Sequence, residues 1–392
     1  MADILKQVVV PDLANPISSS QRTDSTRTKC MLFGGNFWTG STDQGLRDGF
    51  RETGWLVQDV DYGYIVGGPV QSRLSKVVSR VSFRARIRDY HRRLIEDCES
   101  LKPDVLFTVK GWSLTPELLA RFKGMGTKII CFYPDFHFNH QGIDVQSLKQ
   151  FDMFVSSKSF HMAYLTELGM GDRAHFVPHG YCSAAHLPLS REIREQDYDA
   201  DIGYIGNHSP AKQRWLVGLK HAAPELDIKI MGHRWESELS GADRDLVKAG
   251  IPMSLRYSDA IQKARINVAV HLGRTAGSGE WEDLVSTRSF EIPACGGFML
   301  HVDNPEIREY FTPGREIDVF STVEELADKC RFYLHRPELR REMIGRAYQR
   351  CVPAYSYARR AAEISDLIEH AFPLGPKAST ETDQRGIAIR EF

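Results

Sequence analysis

Short apolar runs recur along residues 29–182, at 30–33, 55–60, 105–109, 128–133, 151–156 and 175–177, and most of them close near Gly, Pro or Ser. Between them lie stretches with helical spacing, through Leu46 and Phe50, over 115–122 and over 159–168. Strands alternating with helices predict parallel pairing in a doubly wound α/β sheet. A second series starts near residue 200, with apolar runs at 202–206, 228–232, 266–272 and 297–302. Residues 183–198 between the two series are polar and charged, which reads as a linker. The expected organisation is therefore a lead-in over 1–28, an N-terminal Rossmann-like domain over 29–182 and a linker over 183–199. A C-terminal Rossmann-like domain over 200–372, ending in a helix over 355–371, and a polar tail over 373–392 complete it. Open α/β sheets bind ligands beyond the carboxyl ends of their strands, so two facing sheets place a site in the cleft between them.

Composition narrows the class. The chain has 392 residues, of which 42% are hydrophobic and 26% charged, as in globular domains. Its 50 basic and 51 acidic residues leave a formal net charge of −1, without the basic excess of a nucleic-acid binder. Seven cysteines with no CxxC pair form neither a disulfide framework nor a zinc knuckle and suit a reducing compartment. The opening ten residues lack the apolar core of a secretion signal, and no apolar stretch approaches the ~20 residues of a membrane span. A cytoplasmic protein is expected.

Candidate chemistry concentrates in 283–297, D-L-V-S-T-R-S-F-E-I-P-A-C-G-G, which reads as a loop feeding a helix. Two carboxylates, Asp283 and Glu291, can bracket a donor, because each accepts hydrogen bonds from sugar hydroxyls. Arg288 between them can neutralise a phosphate oxygen. Gly296 and Gly297 end the helix and admit a close approach. On spacing alone a solvated acidic helix face is the simpler reading.

The run S-T-R-S-F-E-I-P-A-C-G-G-F-M-L, with Pro313-Gly314-Arg315-Glu316, Val323-Glu324-Glu325-Leu326, Leu334-His335-Arg336-Pro337-Glu338 and Tyr355-Ser356-Tyr357-Ala358-Arg359-Arg360, resembles the glycosyltransferases related to the spore maturation protein CgeB. These are GT-B enzymes similar to the broad group 1 retaining family. The resemblance is specific over roughly 200–365 and loose before it. It implies two Rossmann-like domains facing across a cleft and transfer of a sugar from a nucleotide diphosphate sugar. Glu291 falls on the second Glu of the group 1 motif, implying a ribose contact. Asp283 falls on the first, one methylene shorter, implying contact with the donor sugar.

Ile205-Gly206-Asn207-His208-Ser209-Pro210 reads as a strand end, a polar turn and a helix start, with Ser209 as N-cap and Pro210 at the first helical position. Backbone N–H groups there can hold phosphate, and Gly206, Asn207, Lys212 and Arg214 are the candidate donor-binding residues of the turn. An ordinary βα turn with exposed basic residues is the alternative. The position matches the family's phosphate loop. His271, at the end of an apolar strand beside the Gly-rich loop 273–279, is a further donor-side candidate, or a satisfied core histidine. In the N-terminal half, Asp135 and His137 follow a strand within Y-P-D-F-H-F-N-H, and either could act as base on an acceptor hydroxyl. Gly34, Gly35 and Asn36 are expected to leave room on the acceptor side, with His179-Gly180 a lesser candidate.

The D-x-D matches at Asp59-Val60-Asp61 and Asp199-Ala200-Asp201 are too short to mark a metal site, and no HExxH, Walker A or GxSxG motif occurs. No metal and no cofactor beyond the donor substrate is expected. Residues 73–93, bounded by Arg73 and Arg93, are strongly basic. They form a solvated amphipathic helix or a peripheral contact with an anionic membrane. The expected partners are a nucleotide-sugar donor and a glycan, lipid-linked or protein acceptor, with no nucleic acid. Two other functions fit the same pattern: a nucleotide-sugar epimerase, and a non-catalytic sugar- or nucleotide-binding protein of polysaccharide or flagellar modification.

Overall fold

The computed structural model describes residues 28–372 apart from 68–72, 112, 139–144, 190, 192, 250–254 and 274–280. Residues 1–27 of the expected lead-in, the tail 373–392, the end of the Y-P-D-F-H-F-N-H stretch and most of the Gly-rich loop lie outside the described residues.

Six parallel strands form the first sheet: β1 (Cys30–Gly35), β2 (Leu56–Asp61), β3 (Val105–Val109), β4 (Lys128–Tyr133), β5 (Met153–Ser156) and β6 (Ala174–Phe176), in the order β2-β1-β3-β4-β5-β6. The second contains β7 (Ala200–Ile205), β8 (Ile228–Met231), β9 (Val247–Ala249), β10 (Ala264–Ala269), β11 (Met299–Val302) and β12 (Asp318–Phe320), in the order β12-β11-β10-β7-β8-β9. Strands β3 and β5 are buried at every position. Helices cover both faces of a parallel sheet, so its central strands are continuously apolar rather than alternating. Each sheet accordingly carries two apolar clusters.

The last helix, Tyr357–Ala371, departs from the expected division. Its Tyr357, Ala361, Ile364 and Ile368 pack with Met31, Phe33, Leu46 and Phe50 of the first half, so 200–372 is not one packing unit. The cause is local: a Cβ on Gly45 would lie 2.8 Å from Tyr357 Cβ, and one on Gly49 2.7 Å from Ala358 Cα. Two glycines four apart on the helix Thr42–Glu52 let the last helix approach to backbone contact. The chain thus crosses between halves twice. The crossings touch where Tyr181 N donates to Tyr355 O (3.1 Å) and Tyr357 N to Tyr181 O (2.9 Å).

Residues 183–199 are not a free linker either. Leu187 N donates to Ser258 Oγ (3.3 Å) and Leu189 N to Gln262 Oε1 (3.0 Å), both on the helix Leu255–Gln262. The basic segment belongs to a helix, Arg73–Leu101, that buries Tyr90, Leu94 and Cys98 and exposes Phe83, Arg84 and Arg88. Among the described residues, no helix is long and apolar enough to cross a membrane.

The carboxyl ends of the two sheets face each other. Lys158, just beyond β5, donates to Asp283 Oδ1 (2.5 Å) and Val285 O (2.8 Å), and Ser159 Oγ donates to Glu306 Oε2 (2.6 Å). Trp281 of the second half sits among Phe136, Phe138, Phe160 and Tyr164 of the first, with ring centroids 5.2–6.2 Å apart.

Candidate active site

Ser209 caps the helix Pro210–Ala222, accepting from Lys212 N (3.4 Å), with Pro210 in the first turn. That start aims Lys212 inward. Its Nζ donates to Asn207 O (3.1 Å), and the side chain is buried. Burial, assisted by the nearby Arg288 guanidinium, pushes the Lys212 ammonium down to about 7. Arg288 opens the helix Arg288–Ala294 and reaches back between the ends of β7 and β10, its Nη atoms lying 3.5 Å from Ile205 O and 3.4 Å from Val270 O. The guanidinium lies over the Tyr204 ring, 5.4 Å from its centroid. A Cβ on Gly206 would come within 2.7 Å of Arg288 Nη1, so glycine there makes room for the arginine. Asn207 Oδ1 accepts from His233 N (3.2 Å) and ties the first βα turn to the second.

Lys158 is the third cation of this group, supplied by the opposite half. Burial opposes ionisation of Asp283, yet the Lys158 ammonium outweighs it and holds the carboxyl below its ordinary range. One oxygen of Asp283 is thereby taken, so a direct sugar contact has only Oδ2 available, which also lies 3.4 Å from Leu272 N. Glu291 is buried on the same helix as Arg288. Its Oε2 accepts from Tyr257 O–H (2.6 Å), and His186 Nε2 lies 3.8 Å from Oε1. His186 Nδ1 accepts from Cys182 N (3.0 Å), which leaves the proton of the neutral ring on Nε2, facing Glu291.

His271 is buried, and its Nε2 is 2.9 Å from His301 Nε2. His301 Nδ1 lies 2.7 Å from Val302 O, so Nδ1 carries the hydrogen and the Nε2 lone pair faces both His271 Nε2 and Ser289 Oγ (2.9 Å). His271 Nδ1 has no partner among the described residues. Burial and then His301 drive its imidazole well below the ordinary value, so the ring stays neutral. Arg288 Nε, Tyr204 O–H, Ser286 Oγ and His179 Nδ1 are also buried and unpartnered among the described residues. Buried polar atoms are nearly always satisfied, so these atoms are candidate contacts for a polar ligand.

Across from these groups the first half holds a cavity of about 270 Å³. Gly34, Gly35, Asn36, Asp135, His179 and, from the second half, Thr287 are among its lining residues. The room expected at Gly34 is taken by a side chain, since a Cβ there would meet Tyr90 Oη at 2.5 Å. Asp135 reaches the cavity and pairs with Lys110 at 2.8 Å. His137 does not line it; its ring packs on Phe136, centroids 4.6 Å apart.

Two sets of residues expected on the donor side lie away from the buried cations. Arg214 is exposed, with Pro210, Gln213, Val217 and Gly218 as its neighbours. Residues two apart on a helix point roughly 200° apart, so Lys212 inward places Arg214 outward. Gly296 and Gly297 lie at the opposite end of the helix from Arg288. Gly296 takes φ +75° as the helix ends, and a Cβ on Gly297 would strike Ile261 Cγ2 at 2.5 Å. They turn and pack the chain before β11, at the amino edge of the sheet. The D-x-D aspartates are also engaged: Asp59 bridges Arg47 and Arg51, and Asp201 pairs with Arg265. Sequence reasoning missed Lys158, Tyr257, His186, His301 and Asp43. Each acts through a partner distant in the chain or buried beneath another residue. Asp43, two residues after the N-cap Ser41, had a legible signal in its place on the first helix turn after β1.

A family model described as glycosyl transferase-like matches residues 211–366. The spore protein CgeB of Bacillus subtilis is 20% identical over 278 residues, covering 69% of this chain and 84% of that protein. Among solved structures, sucrose-phosphate synthase from Thermosynechococcus elongatus aligns over 88% of this chain and all of its own, at 12% identity and TM-score 0.61. Anabaena HepE in complex with UDP-glucose aligns over 87% of this chain and 99% of its own, at 11% identity and TM-score 0.57. The structural neighbours share the GT-B fold, and the chain is similar to the spore protein CgeB and, over 211–366, to glycosyl transferase-like domains.

Proposed function

We propose that the chain transfers a sugar from a nucleotide diphosphate sugar, held by its second half, to an acceptor hydroxyl presented by its first half, without a metal and with retention of anomeric configuration. The observation that carries this reading is the meeting of Lys212, Arg288 and Lys158 at a helix start, beside buried polar atoms that lack partners among the described residues. Three cations and a helix N-terminus suit the negative charge that grows on a departing diphosphate, the work a metal does elsewhere. A UDP-glucose complex of a protein with this fold supports a nucleotide-sugar as the donor class.

In this scheme Glu291 accepts the ribose hydroxyls, oriented by Tyr257 and His186. Asp283 holds Lys158 at the cleft and offers Oδ2 to the sugar. The unpartnered Nδ1 of His271 hydrogen-bonds a donor hydroxyl. Retention follows from the resemblance to the group 1 enzymes. The acceptor attacks on the face the diphosphate leaves, and the diphosphate oxygen takes the acceptor proton, so no protein base is required. The test is to incubate the protein with UDP-, GDP-, ADP- and dTDP-sugars in EDTA and follow nucleoside diphosphate release. One donor is expected to turn over, with Lys212→Met slowing it about 100-fold. Sugar interconversion without release would establish an epimerase instead, and binding without any turnover a non-catalytic protein. Turnover that disappears in EDTA and returns with manganese would overturn the metal-free step. NMR of the product anomer decides retention.

A further inference from the structure

We propose that the cavity of the first half takes a neutral, polyhydroxylated acceptor, a single sugar ring, laid against Trp38 and Tyr62 and held through its hydroxyls by Asp43 and His179. The inference rests on the donor reading above and names the acceptor class for the same site. About 270 Å³ suits about one sugar ring.

Charge decides the class. Lys110 is the one cation among the described lining residues, and it is already paired with Asp135 at 2.8 Å. Asp43 lines the same wall, and Asp61 lies close enough to act on it electrostatically. A phosphorylated or carboxylated acceptor would meet carboxylates here, at a cost that the committed Lys110 does not offset. The cations that could receive an anion lie on the other side of the cleft, in the donor site. Neutral hydroxyls suit what is present: carboxylates accept two at once, and exposed aromatic faces cover the apolar C–H patches of a sugar ring. Trp38 is 46% exposed at the mouth, where its indole face is open to a sugar ring.

His179 points to a ligand independently. It is 4% exposed, its Nε2 is 2.9 Å from Ser157 Oγ, and its Nδ1 has no partner among the described residues while the ring lines the cavity. Burial keeps the imidazole neutral, so Nδ1 forms one hydrogen bond with a hydroxyl rather than attracting an anion. His179 also lies within electrostatic reach of Asp283 and Arg288, and Thr287 of the second half closes the same cavity. A hydroxyl held there stands at the junction with the donor. Asp43 Oδ1 accepts from Asn36 N (2.7 Å), which fixes the carboxylate and leaves Oδ2 for the ligand.

The experiment titrates methyl glycosides of glucose, mannose, galactose and N-acetylglucosamine, against glucose 6-phosphate and glucuronic acid, into the full chain, with and without the nucleoside diphosphate it binds. Saturation-transfer NMR and calorimetry read binding to the wild type, Asp43→Asn and Trp38→Ala. At least one neutral glycoside is expected to bind more tightly than either charged sugar. Asp43→Asn and Trp38→Ala are each expected to weaken it about tenfold while nucleotide affinity stays the same. Asparagine still accepts from Asn36 N, so the first variant tests the charge rather than the fold. Tighter binding of a charged sugar, equal binding by the variants, or no glycoside binding to nucleotide-loaded protein overturns the proposal. Should no nucleotide bind, the donor reading fails on its own, and the nucleotide-free titrations still decide the acceptor class.

Discussion

A lysine ammonium buried beside a guanidinium gives up its proton more readily than one in water, and Lys212, pushed down to about 7, is half neutral near physiological pH. A bound diphosphate favours the charged form, so binding draws in a proton above pH 7. Affinity then falls as pH rises past 7, by up to about tenfold per unit, in a range where the ligand's own last proton, near about pH 6, is already gone. Calorimetry at pH 8 in buffers of different ionisation heat should show this uptake, and Lys212→Met should abolish it. Asp43 behaves oppositely. Burial raises it from 3.8 to about 6, so the folded state holds the proton more tightly than the unfolded one. Its contribution to stability is therefore favourable at low pH and is lost as pH rises to about 6. Asp43→Asn should raise Tm by a few degrees at pH 7.5 and by little at pH 4, the mark of a charge kept at a cost in stability.

At the scale of one element, the helix Pro210–Ala222 shows how much the sequence carries. Its cap, its proline and its inward lysine follow from Ser209-Pro210-Ala211-Lys212 alone, because capping and the first turn are local. Arg214 points outward by helical phase, which a count of positive charge does not register. Ser209→Ala should cost about 1 kcal/mol in thermal melts and weaken nucleotide binding by loosening the helix start. Arg214→Ala should leave that binding unchanged, and a loss of tenfold or more would show that the outward face also meets the donor. The long strands were legible for the same local reason, as continuous apolar runs. Asp318–Phe320 and Val247–Ala249 were not, since each is three residues long and carries a charged residue, Asp318 or Lys248. Glu291 was visible through its motif, whereas Lys158 was not, because its partner Asp283 is 125 residues away.

For the whole molecule, the division into two sheets is written in the order of the elements, but the return of the last helix to the first half is not. Only the glycines at 45 and 49 hint at it, and a glycine pair does not name what packs on it. Tyr357, Ile364 and Ile368, at about 2 kcal/mol each, are a large share of the about 5–15 kcal/mol that holds a domain together. A chain shortened to end before Tyr357 should therefore lose the folded first half, seen as loss of its cooperative melting transition. Retention of that transition would mean the helix is an accessory. The facing ends, joined by Lys158 with Asp283 and by Trp281 in its aromatic nest, set the buried cations of the second half across one cleft from the cavity of the first.

The most direct measurement of the central claim is calorimetric titration of UDP, GDP, ADP and dTDP into the wild type, Lys212→Met and Glu291→Ala. The cation cluster and the carboxylate predict micromolar binding of one nucleotide, weakened at least about tenfold by each substitution. Binding that neither substitution changes, or no binding by any of the four, would contradict a donor site at the start of the helices Pro210–Ala222 and Arg288–Ala294.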